Sequence, residues 1–250
     1  MSSRRRSFLA AILAIGVCVY LAGCVGQTPG AEPQRTLTPL SGVVATGTLV
    51  AVEQTNPVSG AVQVVANPTN AALTVKLIGL GGTVGSALEA KLSAARVKSG
   101  TACAPYALAY ATAFLTSKPN QQFILPSDKS PGWENPSFLH SVILTSSRST
   151  NGCVSSIVAY APLTWTTGDR RPDIHVIDGG TRAGAEGETS TAAGKPTTYT
   201  VVASDNLDSI ARRCNLTLNG LFYLNPARTP SPVSTVTKIG EVLNLSKADR

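Results

Sequence analysis

Residues 199–245 read YTVVASDNLDSIARRCNLTLNGLFYLNPARTPSPVSTVTKIGEVLNL. Tyr199, Thr200, Val201 and Val202 open the stretch as a strand, since aromatic and β-branched side chains suit a pleated surface. Ser204 and Asp205 are N-cap types and stand before a helix expected over 206–213. Leu207, Ile210, Ala211 and Cys214 recur at i, i+3, i+4 and i+7 and give that helix one apolar face. Thr217 caps a second helix carrying Leu218, Leu221, Phe222 and Leu224. Asn225-Pro226 stops it, because proline disfavours helix in the residue before it. Residues 241–245 (EVLNL) close the pattern as a strand. The order is β-α-α-β, an α+β unit over 198–246.

Moving toward the N-terminus, residues 179–197 (GGTRAGAEGETSTAAGKPT) hold too few apolar side chains to order themselves and read as a flexible linker. Residues 41–178 change period again. Strands are expected over 43–52, 61–65, 73–80, 106–115, 122–125, 138–145 and 154–165, separated by turn clusters such as Asn67-Pro68-Thr69-Asn70. Leu73, Val75 and Leu77 alternate with Thr74 and Lys76, the period-2 signature of a half-buried strand. Seven short strands so punctuated predict an all-β antiparallel sandwich. Residues 86–97 (SALEAKLSAARV) fit either a helical face through Leu88, Leu92 and Ala95 or an edge strand.

Composition narrows the chemistry. Charged residues are 14% of the 250, against roughly 25% in an average soluble domain, which argues against a coiled coil or a nucleic-acid binder. Two His and five Cys leave little material for a metal centre, so no metal and no cofactor are expected. No run of 18 or more apolar residues suggests a membrane-spanning helix.

The N-terminus carries Arg4, Arg5 and Arg6, then an apolar run over 8–22 that is too short to span a bilayer and suits a signal peptide. It ends in Leu21-Ala22-Gly23-Cys24, which resembles the lipobox of bacterial lipoproteins. The resemblance implies cleavage of residues 1–23, a diacylglycerol thioether on Cys24, and a mature protein held at the outer face of the cytoplasmic membrane. Loss of 1–23 lowers the net charge from +7 to about +4, a weak bias toward anionic surfaces. Residues 24–40, rich in Pro, Gly and polar residues, are the expected tether. Of the five cysteines, Cys18 leaves with the leader and Cys24 is spent on lipid. Among the remaining three, an oxidising compartment allows one pair. Cys103 and Cys153 share the β-rich region and are expected to bond, while Cys214 reads as a small buried hydrophobe.

Tyr199-Thr200-Val201, Ser204-Asp205-Asn206-Leu207, Ile210-Ala211, Leu216-Thr217, Leu221, Asn225-Pro226 and Gly240-Glu241-Val242-Leu243 together resemble the lysin motif (LysM). The family binds N-acetylglucosamine-containing glycans such as peptidoglycan and chitin in a groove between the first strand–helix turn and the loop after the second helix. The resemblance implies a site at Val202, Ala203, Ser204, Asp205, Asn206 and Leu207 on one side, and at Leu224, Asn225, Pro226, Ala227, Arg228 and Thr229 on the other. Unpaired loop amides would meet the acetamido group, and Leu207 and Leu224 its methyl. Asp205 and Asn206 would bond sugar hydroxyls or cap the helix. Three departures stand out: Ser204 replaces the family's turn glycine, Glu241 replaces its Gln, and 227–238 is longer than usual.

No motif points to an enzyme. Ser149-Thr150-Asn151-Gly152-Cys153-Val154 is faintly similar to the L,D-transpeptidase loop, but that chemistry needs a His beside the thiolate, and its loop position is Asn151. His140 reads as a strand residue, His175 as a linker-edge residue, Trp133 as a loop aromatic that could stack on a sugar, and Trp165 as core. The expected protein is a non-enzymatic envelope lipoprotein that binds glycan, with a β domain facing an unidentified protein partner. The alternatives are a wall-modifying enzyme using Cys153 and a module that mediates protein contacts only. Replacing Cys24 by Ala is expected to move the chain from the membrane to the soluble fraction and to remove the acyl mass from its N-terminal peptide, measured by fractionation and mass spectrometry.

Overall fold

The computed structural model describes residues 36–52, 57–82, 84, 88–105, 109–128, 130–146, 152–228 and 233–250. The expected leader with Cys18, the expected lipidation site Cys24, most of the expected tether, residues 149–151 and Thr229 lie outside the described residues. Among the described residues the chain is mostly β, with two short α-helices. In chain order the strands of the larger part are β1 (Gly42–Thr48), β2 (Val50–Ala51), β3 (Ser59–Ala66), β4 (Leu73–Gly81), β5 (Leu88–Ser93), β6 (Ala109–Phe114), β7 (Gln121–Leu125), β8 (Ser141–Ser146), β9 (Ser156–Pro162) and β10 (Thr164–Trp165). They form two five-stranded antiparallel sheets, β10-β1-β3-β4-β7 and β2-β9-β8-β5-β6, an arrangement consistent with a sandwich.

One apolar core joins the two sheets. Val62, Val64, Val75 and Leu77 from the first meet Ala90, Leu92, Val142, Leu144 and Ala159 from the second. The alternation read in β4 holds: Leu73, Val75 and Leu77 are buried while Thr74 and Lys76 are partly exposed. The chain passes from one sheet to the other at Leu49, between β1 and β2, and at Leu163, between β9 and β10. A ring cluster of Tyr110, Trp133 and Phe138, with edge-on contacts near 5 Å, closes one end. Trp133 therefore packs against protein. Trp165 donates its indole N–H to the Leu139 carbonyl at 2.7 Å, a partner a half-buried indole needs.

The described residues of 86–97, from Leu88 on, are neither helix nor edge. Their strand, β5, lies between β8 and β6. Leu88, Ala90 and Leu92 face the core, and the other face holds an ion pair between Lys91 and Glu89 at 3.1 Å. The helix-like spacing of leucines is overridden by pairing on both sides.

Cys103 and Cys153 are bonded, with Cα atoms 5.2 Å apart. The bond ties a loop, rather than a strand, to the start of β9. Ile157 N–H donates to the Ala102 carbonyl at 2.8 Å and Ala104 N–H to the Ser155 carbonyl at 3.0 Å. The loop thereby covers Ile143, Ile157 and Tyr160 on the outer side of the second sheet.

The C-terminal elements are β11 (Glu188–Ala192), β12 (Lys195–Thr200), α1 (Leu207–Arg213), α2 (Leu218–Leu224) and β13 (Val242–Asn244). β12 pairs with both β11 and β13, all antiparallel. Residues 179–197 are thus not a flexible linker. Their second half is a hairpin strand whose backbone is satisfied by β12, which compensates for its lack of apolar side chains. The sandwich and these elements belong to one compact unit, residues 35–250, rather than to two bodies on a leash.

The bridge closes a loop with a sequence separation of 50, which constrains the unfolded chain. Replacing Cys103 and Cys153 together by Ala is expected to cost about 2–4 kcal/mol in denaturant unfolding, with Cys214 unaffected as a free buried thiol.

Candidate functional site

The C-terminal core is built from Tyr199, Val201, Leu207, Ile210, Ala211, Cys214, Leu221, Phe222, Leu243 and Leu245, the apolar face read from the sequence. Of the expected caps it is Asn206 that caps α1, by accepting from Ser209 N–H at 2.9 Å. Thr217 caps α2 through Gly220 N–H at 3.0 Å. Burial pushes the Cys214 thiol up to about 11, so it stays protonated and inert.

Leu207 and Leu224 are 2% and 1% exposed. They are core residues, and neither offers a surface to an acetyl methyl. Asp205 is also buried, at 7%, and it does not cap α1. Its carboxylate accepts from Val202 N–H at 2.9 Å, from the Tyr199 hydroxyl at 2.8 Å and from Glu186 N–H at 2.7 Å. The Tyr199 oxygen in turn accepts from Gly187 N–H at 2.7 Å. Burial pushes the Asp205 carboxyl up, but the hydrogen bonds from Val202, Glu186 and Tyr199 outweigh it and leave the carboxyl below its usual range. Burial followed by the Asp205 contact pushes the Tyr199 hydroxyl up.

Residues 182–187 therefore form a strap over the first loop. Asn206 N–H donates to the Gly184 carbonyl at 2.9 Å. On the strap's other side, the Arg213 guanidinium donates to the carbonyls of Ala185 and Gly187 at 2.9 and 2.8 Å, and grips both oxygens of Asp178 at 2.7 and 3.0 Å. The Arg213 hydrogen bond, above all, holds the Asp178 carboxyl far below its usual range. A Cβ on Gly187 would stand 2.0 Å from the Thr200 carbonyl oxygen, and one on Gly184 2.5 Å from Asn206 Nδ2. The approach requires glycine at both places. The Thr237 hydroxyl, on the long segment after α2, adds a bond to the Asp205 carbonyl at 3.1 Å. Amides and carbonyls expected to be free for a sugar are thus used by the chain itself. Ser204 does adopt a positive φ of 70°, the conformation its glycine counterpart would take at less strain, while Val202, Ala203 and Ser204 remain exposed.

The second loop is disposed differently. Asn225 Nδ2 donates to the Leu221 and Asn244 carbonyls, both at 2.9 Å, and its Oδ1 accepts from Asn244 N–H at 2.7 Å. It stitches the end of α2 to β13. Arg228 pairs with Glu241 at 2.5 Å and donates to the carbonyls of Ser234 and Val236, so the Glu at the family's Gln position anchors the long loop. Leu224, Asn225, Pro226, Ala227 and Arg228 line a cleft of about 430 Å³ whose other wall is Ala94, Arg96, Phe138 and His140 of the sandwich, with Val242, Asn244 and Arg250 completing it. None of residues 202–207 lines this cleft.

The cleft exists because the module is clamped to the sandwich. Arg250 lies 3.7 Å over the Tyr223 ring, and its guanidinium donates to the carbonyls of Tyr223, Gly132 and Asn135 at 2.8, 3.0 and 3.2 Å. Asn135 Nδ2 donates to the Tyr223 hydroxyl at 3.3 Å. Arg96 Nη2 reaches the Arg250 main-chain oxygen at 3.2 Å. Burial, followed by the charge of Arg96, brings His140 down to about 4. Arg96, His140 and Arg250 carry no local motif, and only docking makes them neighbours.

Cys153 is buried in its disulfide, so no thiolate is present there. Among the described residues no group of three His, Cys, Asp or Glu side chains could hold a metal, and no helix is long and apolar enough to cross a membrane. Comparison with protein-family models, curated proteins and solved structures gave no match.

Two outcomes test the strap and the seam. Gly187→Ala, which has no room for its methyl, is expected to destabilise the fold by several kcal/mol in denaturant unfolding. The His140 ring is expected to protonate near pH 4 rather than 6.5 by NMR titration. Because the folded value is depressed, the unfolded chain binds more protons between those limits, so this group's share of stability is full above pH 6.5 and lost as pH falls toward 4.

Proposed function

We propose that the chain is an envelope lipoprotein, anchored through Cys24, whose C-terminal module is a LysM that binds peptidoglycan or a chitin-like glycan. The observation that carries the reading is the cleft beside the second loop. Five of the twelve residues implied by the family resemblance, 224–228, line it, and it mixes apolar Phe138, Pro226 and Val242 with amide and guanidinium groups, as small-molecule sites do. The disulfide fits an oxidising, extracytoplasmic compartment. A tether and an acyl chain would keep the module within reach of the wall. No catalytic role is proposed, since the sulfur of Cys153 is bonded to Cys103.

A second reading is favoured by the strap: a first loop closed by residues 182–187 suits a module that contacts protein rather than sugar. Co-sedimentation of residues 25–250 with purified peptidoglycan separates the two. Retention that is competed by soluble wall fragments supports glycan binding, and recovery in the supernatant at all protein concentrations leaves the protein-contact reading. A fragment beginning at residue 196 is unsuited to the test, because it lacks β11 and the strap that complete the module's sheet and core.

A further inference from the structure

We propose that β11 is the docking edge for a second copy of this chain: two β11 strands pair antiparallel about a two-fold axis at Ser190 and join two three-stranded sheets into one of six strands. This pairing needs no glycan and stands apart from the cleft.

The edge is open, and the hairpin sets the direction of its backbone groups. β11 is the outermost strand of its sheet, and its residues are exposed except Thr189, which is partly so. Ala192 pairs with Lys195 across a two-residue turn, Ala193-Gly194, with φ of 49° and 73°. That is type I′ geometry, and the pair flanking such a turn exchanges hydrogen bonds. Backbone groups alternate in direction along a strand, so Ala192, Ser190 and Glu188 turn theirs toward β12. The Ser190 carbonyl accepts there from the Thr197 hydroxyl at 3.2 Å. Thr189 and Thr191 turn their N–H and C=O outward, and among the described residues no turn or loop takes them. Proteins blunt such an edge with proline, lysine or a bulge. β11 has neither Pro nor Lys, and the register shift leaves the extra residue, Thr197, on β12.

The edge is also complementary to itself. A two-fold axis at Ser190 sets Thr189 opposite the partner's Thr191, and Thr191 opposite the partner's Thr189. The outward groups then close as two hydrogen-bonded pairs, and all five residues of each strand overlap. Glu188 faces the partner's Ala192, which pairs across its own hairpin with the partner's Lys195. Paired residues share a face of the sheet, so Glu188 and the partner's Lys195 lie on one face with only a methyl group between them. Their Cα atoms stand about 10 Å apart, two strand spacings, within reach of these long side chains. The axis makes the contact twice, as an isologous interface does. Glu188 and Lys195 are both exposed, and neither is ion-paired within its own chain among the described residues.

The test uses residues 25–250, whose own cysteines do not interfere, since Cys103 and Cys153 are bonded and Cys214 is buried. Five-residue strands make a small interface, so sedimentation equilibrium is expected to show a monomer–dimer equilibrium with a Kd of roughly 10 μM to 1 mM. Ser190→Cys puts two thiols on the axis, where the Cα atoms of a non-hydrogen-bonded pair stand about 4.5 Å apart, within disulfide range. Ala192→Cys, equally exposed on the same edge, puts them about 14 Å apart. Under mild oxidation the Ser190 variant is expected to form covalent dimer about tenfold faster or more. Glu188→Lys is expected to weaken the dimer about tenfold by turning two attractions into repulsions. Adding Lys195→Glu to it is expected to restore the wild-type Kd. Wild-type protein that stays monomeric up to about 1 mM, equal oxidation rates for the two cysteine variants, or a dimer indifferent to both charge variants overturns the inference.

Discussion

A six-residue strap held between a carboxylate and a guanidinium organises the C-terminal half of this protein. Asp205 takes the strap's amides, directly or through Tyr199, and Arg213 takes its carbonyls. Both side chains are nearly buried. A buried charge is tolerable only when its hydrogen-bonding capacity is met, and here each charge is met by backbone groups that would otherwise be unsatisfied. The strap in turn delivers residues 188–192 to the edge of β12. Without it the module would have a two-stranded sheet and an open first loop.

That arrangement explains which parts of the sequence were readable. The periodic faces of α1 and α2, the alternation in β4, the sheet-rich character of 41–178 and the Cys103–Cys153 pair all follow from local pattern or from counting cysteines. The polar segment 179–197 was not readable as ordered structure, because its order comes from Asp205, Arg213 and β12 and from no apolar side chain of its own. The same limit applied to residues 86–97, whose leucine spacing fits a helix until neighbours on both sides make it a strand. On the functional side, residues 224–228 line a cleft, but the family resemblance could not show that Leu207 and Leu224 are interior or that Asp205 is occupied. Arg96, His140 and Arg250 stand 44 and 110 residues apart in sequence, and no spacing rule joins them.

The seam between sandwich and module is polar for an internal contact. Its main elements are a guanidinium on a tyrosine face, carbonyl acceptors and a neutral imidazole rather than interlocked leucines. Such contacts are directional, so they fix an orientation more than they add stability. An orientation fixed in this way gives the cleft a definite shape, which an apolar seam that tolerates sliding would not.

Because one wall of the cleft belongs to the sandwich and the other to the module, filling it and docking it are two views of a single equilibrium. Whatever molecule touches both walls acts as mortar. By thermodynamic reciprocity it tightens the joint by the same free energy that the joint lends to its capture. Changes far from any sugar, at Tyr223 or Asn135, would then register as altered affinity without contacting the guest at all.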